Sequence, residues 1–220
     1  MMPHRLKGRN WGSFVEVKIN IPKVLASELK RISKGRVLIS SITDPYQPIE
    51  AEYQLTRKCI ELLSKRNLEV VVLTKSTLFL RDLSIMKKET FEIGVTITTL
   101  KAHQQLEPNS PSPRDRLKAL KETSKEGFKT FLFLGPLISG VVDDELQEIL
   151  EAAYSSGVQY VIIDKLNIKG DVAQAITKAL NENQLKKFRE NMANPHWIKR
   201  IKNEITRLCK KLRLPHDFCF

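Results

Sequence analysis

Short apolar runs alternate with amphipathic stretches along most of the chain. Residues 70–73 and 161–163 are apolar at consecutive positions, which is typical of parallel strands covered on both faces. On this pattern six segments are predicted as strands: residues 14–20, 36–42, 69–75, 91–99, 129–138 and 159–167.

The segments between these strands repeat apolar residues every three or four positions, as amphipathic helices do. Residues 111–127 begin with Ser and Pro and end at Gly127, and residues 143–157 begin with acidic residues and end at Gly157. Both patterns match helix start and stop signals. Residues 81–88 are predicted as a shorter helix. Repeated strand–helix units form either a doubly wound sheet or a β/α barrel, and the pattern leaves both open.

The alternation stops after Gly170, where two helical stretches follow without a strand between them. We therefore predict an α/β core in residues 1–170 and a basic helical C-terminal extension in residues 171–220, packed on the core. The last helix should dock through one apolar face, which carries Trp197, Ile201, Ile205, Leu208 and Leu212.

Composition places the chain among cytoplasmic globular proteins. None of the apolar runs in the 220 residues is long enough to span a bilayer, and the basic start "MMPHRLKGRN" is followed by "WGSF" instead of an apolar signal segment. The three cysteines are odd in number and far apart, which argues against a disulfide framework.

The net charge of +12 is concentrated near the C-terminus. Residues 186–213 contain ten Lys or Arg and two Glu, a net charge of +8. Such a segment attracts nucleic acid or other polyanions, and the alternative is an ordinary solvated helix face. Both interpretations stay open.

Polar residues are concentrated where the predicted strands end. Ligands of both α/β architectures bind at the carboxyl ends of parallel strands, so this concentration predicts a polar or anionic ligand there. For Asp44 the alternative is that it only caps the following helix. The strand-end residues are Thr43, Asp44, Tyr46 and Gln47; Thr74, Lys75 and Ser76; Thr96, Thr98 and Thr99; Gly135 and Pro136; and Asp164, Lys165 and Asn167.

Three familiar signatures are absent from the sequence. No G-x-G-x-x-G or Walker loop follows a predicted strand, which argues against a nucleotide-binding fingerprint. The four histidines are scattered, so neither a zinc triad nor a Ser-His-Asp set is indicated. We predict no metal ligands in this chain.

Seven stretches, taken together and in order, resemble radical SAM proteins of the spore photoproduct lyase-like group, often labelled DNA repair photolyase. The resemblance covers nearly the whole chain from Trp11 and implies a partial β/α barrel of the radical SAM type. The stretches are "WGSFVEVKIN", "GRVLISSITDPYQPIEAEYQLTRKCIELL", "VLTKSTLFLRDLSIMKK", "IGVTITTL", "LEPNSPSPRDRLKALK", "IDKLN" and the terminal "DFCF".

The resemblance also implies two cofactors, S-adenosylmethionine (SAM) and a [4Fe–4S] cluster. In that family three cysteines of a C-x-x-x-C-x-x-C loop hold the cluster and leave one iron free for SAM. An electron donor then reduces the cluster, and SAM is cleaved to methionine and a 5′-deoxyadenosyl radical that abstracts hydrogen from the substrate.

Residue roles follow from the resemblance position by position. It implies a polar cavity at the strand ends, lined by Asp44, Tyr46, Lys75, Thr98 and Arg116. The turn with Thr43, Asp44, Tyr46 and Gln47 would meet the methionine end of SAM, and Lys75 with Ser76 its carboxylate. Thr96 and Thr98 would face the carboxylate and ribose, and Arg116 would pair with the carboxylate. Pro136, Asp164, Lys165 and Asn167 would flank the adenosine or the substrate.

The chain departs from the family at the cluster loop, because it contains no C-x-x-x-C-x-x-C. Cys59, Cys209 and Cys219 match none of its positions. In the family the loop and the first barrel strand precede "WGSFVEVK". Met1 followed by Met2 favours a start assigned at an internal methionine over a naturally shortened relative.

Two function hypotheses follow. The first is a radical SAM enzyme of unidentified substrate, with nucleic acid as one candidate, present here without its cluster loop and inactive as it stands. The second is a non-catalytic barrel protein that binds nucleic acid through its basic C-terminal helices.

Overall fold

A computed structural model describes residues 14–168, 172–192, 194 and 196–220. Trp11 and the predicted boundary between residues 170 and 171 lie outside the described residues. The strands are β1 (Arg36–Ile39), β2 (Glu69–Thr74), β3 (Phe91–Ile97), β4 (Lys129–Leu137), β5 (Tyr160–Lys165) and β6 (His216–Phe218). The helices are α1 (Ile21–Glu28), α2 (Glu50–Tyr53), α3 (Leu55–Leu63), α4 (His103–Leu106), α5 (Pro113–Lys125), α6 (Leu146–Ser155), α7 (Val172–Ala179), α8 (Glu182–Met192) and α9 (His196–Leu212), with a 3₁₀ helix at Leu78–Ile85.

The six strands form one sheet in which every neighbouring pair is parallel and the strand order follows the chain, β1 to β6. A doubly wound sheet reverses its order at a switch point, so the sequential order selects the barrel alternative. In the described part of the chain the sheet curls into a half-barrel and does not close. The predicted partial β/α barrel is confirmed.

The convex face of the half-barrel carries the main hydrophobic core. Residues that alternate along the strands, such as Val72, Ile93 and Ile163, are fully buried there. They pack with the apolar faces of the surrounding helices, including Leu120 of α5 and Ile205 of α9. Because strand side chains alternate between faces, the intervening residues point into the concave interior.

The predicted strand at residues 14–20 is wrong. That segment is irregular chain followed by a turn, and α1 begins at Ile21. No strand among the described residues pairs with this segment, and Val15 and Ile19 are 56% and 71% exposed. An isolated strand is not stable in water, so the alternation alone misled the prediction.

Two shorter elements also differ from prediction. Residues 81–88 were predicted as a helix, and the structure has a 3₁₀ helix at Leu78–Ile85. The prediction named no strand after residue 170, yet β6 pairs with β5 through Val161 and His216. A strand of three residues is too short to show a period of two.

The last helix docks as predicted. Trp197, Ile201, Ile205 and Leu208 of α9 are buried in the main core, and Cys209 lies on the same face. No helix in the described part of the chain is both long and apolar enough to cross a membrane.

Candidate functional site

The carboxyl ends of β2 and β3 bring Lys75, Thr96 and Thr98 to one edge of the concave face. Leu73 pairs with Gly94 across the two strands. Because side chains alternate along a strand, Lys75 lies on the same face as Leu73, and Thr96 and Thr98 lie on the same face as Gly94. We call this region the carboxyl edge.

Asp44 fastens the turn after β1 to the end of β2. Its Oδ1 accepts the backbone N–H of Tyr46 at 2.8 Å and the hydroxyl of Thr74 at 2.6 Å, while Oδ2 accepts the backbone N–H of Lys75 at 2.6 Å. The bond to the residue two positions on is an Asx turn, and α2 begins only at Glu50. Asp44 is therefore a clamp between two strand ends and not a helix cap.

Tyr46 points away from the carboxyl edge and is 1% exposed. Its hydroxyl donates to Oδ2 of Asp82 at 3.1 Å, and Asp82 is also bonded to Arg57 and Arg81. Burial, reinforced by Asp82, raises the pKa of Tyr46. Burial alone would raise the pKa of Asp82, but the two arginines and the tyrosine outweigh it and lower that pKa. Tyr46 thus anchors the turn in the core.

The other residues of this turn and of the β2 end have local roles or stay at the surface. Ser76 donates its backbone N–H to the hydroxyl of Thr74, and its own hydroxyl accepts the backbone N–H of Leu78 at the start of the 3₁₀ helix. Thr43 is exposed and Gln47 is half-buried.

A largely buried carboxylate that sequence analysis missed lies at the centre of the carboxyl edge. Glu107, directly after α4, is 10% exposed. Its Oε1 lies 2.6 Å from the Lys75 Nζ and accepts the Thr98 hydroxyl at 2.7 Å, while its Oε2 accepts from Arg116 at 2.7 Å. Burial by itself raises the pKa of Glu107, but Lys75, Thr98 and Arg116 outweigh it, so the pKa lies below its usual range.

Arg116 is fully buried behind this carboxylate. Its guanidinium donates to the carbonyls of Pro111 at 2.8 Å and Thr96 at 2.9 Å, to the Ser110 hydroxyl at 2.6 Å, and to Glu107. Arg116 therefore lies beside the carboxyl edge without facing its open side. Lys75 does face it: the side chain is 36% exposed.

The ends of β4 and β5 approach each other closely at the same edge. A Cβ on Gly135 would lie 2.9 Å from the Asp164 carbonyl oxygen, so glycine is required there. The Gly135 carbonyl oxygen also lies 2.9 Å from the Thr98 hydroxyl oxygen. Pro136 and Asp164 are half-buried and Asn167 is exposed, whereas the exposed Lys165 places its Nζ 5.3 Å from the centre of the Phe220 ring.

The described residues do not fit an iron–sulfur cluster. They contain no group of three or more His, Cys, Asp or Glu arranged to hold a metal ion. Cys59 is half-buried in α3, Cys209 is buried in α9, and Cys219 is exposed after β6. Burial raises the pKa of both Cys59 and Cys209 to about 11, which disfavours the thiolate that binds metal.

An anionic group, in contrast, fits the carboxyl edge. The Lys75 ammonium has three N–H donors. Glu107 is its one carboxylate partner among the described residues, and the side chain is open on the concave side. A partly exposed ammonium fixed at the end of a parallel strand matches what an anionic ligand group requires.

A basic stripe runs along the exposed side of α9, next to a groove of about 610 Å³ between α6 and α9. Two acidic residues neutralise part of it: Asp143 pairs with Arg200 at 3.0 Å and Glu204 with Arg207 at 2.7 Å. The stripe consists of Lys199, Arg200, Arg207, Lys210 and Lys211, all exposed.

No family model matches this sequence. Three of the sequence relatives are described here. The chain is 33% identical over 204 residues to the uncharacterized protein MJ0683 of Methanocaldococcus jannaschii, covering 91% of this chain and 75% of that protein. It is 28% identical over 173 residues to the uncharacterized protein Rv2578c of Mycobacterium tuberculosis, covering 74% of this chain and 51% of that protein. A radical SAM Nalpha-GlyT isomerase of Pseudomonas phage M6 is 21% identical over 173 residues, covering 74% and 36%.

The solved structures that share the fold include spore photoproduct lyase and SuiB. Spore photoproduct lyase, in a complex with dinucleoside spore photoproduct, superposes with a TM-score of 0.69 at 15% identity, covering 94% of this chain and 67% of the lyase. SuiB of Streptococcus suis bound to S-adenosylmethionine gives a TM-score of 0.53 at 12% identity, covering 91% and 40%.

The half-barrel is therefore of the radical SAM type, and its fold is that of spore photoproduct lyase. The chain belongs to the same family as MJ0683. The resemblance inferred from the sequence motifs is confirmed.

Proposed function

We propose that this chain forms the SAM-binding half-barrel of a radical SAM enzyme. The observation that carries the proposal is that Lys75 holds a partly exposed ammonium in a fixed position at the carboxyl edge. The backbone N–H of Lys75 donates to Asp44, and its Nζ pairs with Glu107. The radical SAM isomerase among the relatives and the SAM-bound SuiB structure support it.

In this proposal Lys75 binds the carboxylate of SAM. Thr43 and Gln47 border the methionine end, and Asp44 and Tyr46 hold the turn that presents them. Thr96 and Thr98 face the carboxylate and ribose. Ser76 supports Lys75 from the adjoining turn, and Arg116 supports it through Glu107. Pro136, Asp164, Lys165 and Asn167 flank the adenosine or the substrate.

Bound SAM would supply the hydrogen-abstracting chemistry of this class once it is reduced at a [4Fe–4S] cluster. The described residues do not fit such a cluster, so we propose that this chain by itself binds SAM and does not cleave it. Cleavage would require cluster ligands in addition to these residues, and an electron donor.

Calorimetric titration with SAM tests the binding proposal. We expect wild type to bind SAM and Lys75→Met to lose at least about tenfold in affinity, since a charge-assisted hydrogen bond contributes about 1.5–3 kcal/mol. Lys101→Met is the matched control, because Lys101 follows β3 but pairs with Glu148 at 3.2 Å on the protein surface. Unchanged affinity in Lys75→Met, or no SAM binding by wild type, would refute the proposal.

Anaerobic purification tests the cluster requirement. Both this chain and the full reading frame in which it lies are assayed for bound iron and for 5′-deoxyadenosine. We expect neither from the 220-residue chain alone. A reading frame that contains C-x-x-x-C-x-x-C should give both. A reading frame without that motif, or one with it that gives no 5′-deoxyadenosine from SAM, would contradict the enzymatic part of the proposal.

The basic stripe of α9 favours a second function, binding of nucleic acid. Its five basic residues extend over about 18 Å of helix, which is long enough to contact several phosphates. The spore photoproduct lyase complex with a dinucleoside is consistent with such a partner. Lys202 is not part of this surface, because its Nζ lies 4.1 Å from the centre of the Phe220 ring.

Charge reversal separates this function from SAM binding. We expect Lys199→Glu with Lys210→Glu and Lys211→Glu to abolish DNA binding while SAM affinity stays unchanged. Wild-type affinity for DNA should fall steeply between about 50 and 200 mM salt. Absent or salt-insensitive DNA binding would rule the second function out.

A further inference from the structure

Glu107 is a largely buried acid that pairs with both Arg116 and Lys75. The carboxylate lies within hydrogen-bonding distance of three side chains, two of them cationic. A buried carboxylate is costly unless it is paired. The ion pair with Arg116 offsets that cost. Glu107 forms a second ion pair with Lys75, whose side chain is 36% exposed.

A lysine side chain at a strand end is flexible unless both of its ends are held. Four rotatable bonds separate its backbone from its ammonium, and fixing them costs up to about 2 kcal/mol of side-chain entropy. The backbone N–H of Lys75 is fixed by Asp44 at 2.6 Å, and the Nζ is fixed by Glu107 at 2.6 Å. Glu107 in turn is held by Arg116 and Thr98. The ammonium is therefore placed before a ligand arrives.

Charge balance explains why Arg116 is present. Glu107 alone would neutralise Lys75 and leave the carboxyl edge without attraction for an anion. With Arg116 behind Glu107, the three groups carry a net charge of +1, and the two N–H donors of Lys75 that Glu107 does not use are available to a ligand.

We infer that Glu107 is a positioning residue that orients and holds the Lys75 ammonium for the carboxylate of an amino-acid ligand. The inference rests on the proposed function, in which that ligand is SAM. Glu107 acts through Lys75 and does not contact the ligand itself.

A double-mutant cycle on SAM affinity tests the inference. We expect Glu107→Gln to weaken binding about fivefold to tenfold when Lys75 is present, and less than about twofold in the Lys75→Met background, because contacts that act as a unit are not additive. An equal loss in both backgrounds would overturn the inference. Glu107→Asp keeps the charge that Arg116 needs but shortens the side chain, so it gives the same test if Glu107→Gln does not fold.

Glu145→Gln is the matched control for general loosening of the carboxyl edge. Glu145 is also buried at this edge, where it accepts from the Thr99 hydroxyl and the backbone N–H of Leu100, away from Lys75. Glu145→Gln should lower thermal stability and leave SAM affinity within about twofold of wild type, because it does not touch the Lys75 ammonium. A loss of affinity equal to that of Glu107→Gln would contradict a specific role for Glu107.

A second readout does not depend on SAM. The acetylation rates of individual lysines by an activated ester are followed by peptide mass spectrometry. Loss of the ion pair in Glu107→Gln should speed the modification of Lys75 severalfold and leave Lys101 unchanged. If wild type binds no SAM but Lys75 is acetylated faster in Glu107→Gln, the proposed function is wrong while the ion pair between Glu107 and Lys75 is confirmed. If SAM binds and the Lys75 rate does not change, the positioning role fails.

Discussion

The Asp44 carboxylate accepts the backbone N–H of Lys75 at 2.6 Å, although the two residues are 31 positions apart in the chain. The same carboxylate accepts from Thr74 and from the backbone N–H of Tyr46. The turn with Thr43, Asp44, Tyr46 and Gln47 thus has a structural role: its one acid ties two strand ends together and places Lys75.

Replacing Asp44 should therefore cost both stability and ligand affinity. Asp44→Ala removes three hydrogen bonds, and we expect the free energy of unfolding to fall by about 2–3 kcal/mol in urea titration. Asp115→Ala is the comparison, because Asp115 lies at the exposed first turn of α5 and should cost under about 1 kcal/mol. Equal losses in the two variants would show that the clamp contributes nothing specific.

Removing the Arg116 guanidinium should destabilise the fold more than removing any other single charged group near the carboxyl edge. Arg116→Met leaves Glu107 buried with Lys75 as its remaining cation, and removing one partner of a buried pair costs about 3–5 kcal/mol. Because Lys75 still compensates Glu107, we expect the lower end of that range. A loss under about 1 kcal/mol in urea titration would contradict the charge balance described for this site.

Gly94 should not tolerate a methyl group. A Cβ at this position would lie 2.3 Å from the Phe131 ring, which packs across the β3 backbone and stacks on Tyr160 with 5.0 Å between ring centres. We expect Gly94→Ala to cost about 2–3 kcal/mol, as overpacking does. In the Phe131→Leu background the added cost should be smaller, and an unchanged cost would contradict the proposed steric cause.

Acid should destabilise the chain partly through Glu92, which lies at the other end of the concave face. Burial raises its pKa, but Lys129, Tyr160 and Arg36 outweigh burial and lower it from the ordinary value of 4.5. A carboxyl group with a lowered pKa in the folded state stabilises the fold above the unfolded pKa, and this contribution is lost as pH falls through the folded pKa.

Comparison of wild type with Glu92→Gln measures this contribution. The partners Arg36 and Lys129 are 55% and 50% exposed, so the contribution is discounted for screening to about 1 kcal/mol. We expect the free energy of unfolding to fall between pH 7 and pH 3 in both proteins. The fall should be larger in wild type than in Glu92→Gln by about 1 kcal/mol. The same pH slope in both proteins would exclude Glu92 as a source.

The sequence was sufficient for the parts of the fold that have strong local patterns. Consecutive apolar residues in β2 and β5 marked buried parallel strands, and Gly127 and Gly157 correctly marked helix ends, with φ angles of +91° and +78°. The strand predicted at residues 14–20 failed because strand formation needs a neighbour, which a local pattern does not reveal. Strand β6 was missed because three residues carry no period.

The carboxyl edge was predictable only in part, for a similar reason. Lys75, Thr96 and Thr98 were found because strand ends are a general ligand position. Glu107 was missed because it lies in a loop, nine residues after Thr98, and only the fold brings it to Lys75. Its one sequence signal was an isolated acid between β3 and α5 in the "LEPNSPSP" stretch. The roles of these residues toward SAM stay predictions.

The central claim is that Lys75 binds the carboxylate of SAM at the end of β2. Calorimetric titration of SAM into wild type, Lys75→Met and Lys101→Met measures this directly. We predict that wild type and Lys101→Met bind with the same affinity and that Lys75→Met binds at least about tenfold more weakly. Equal affinity in all three proteins would contradict the claim.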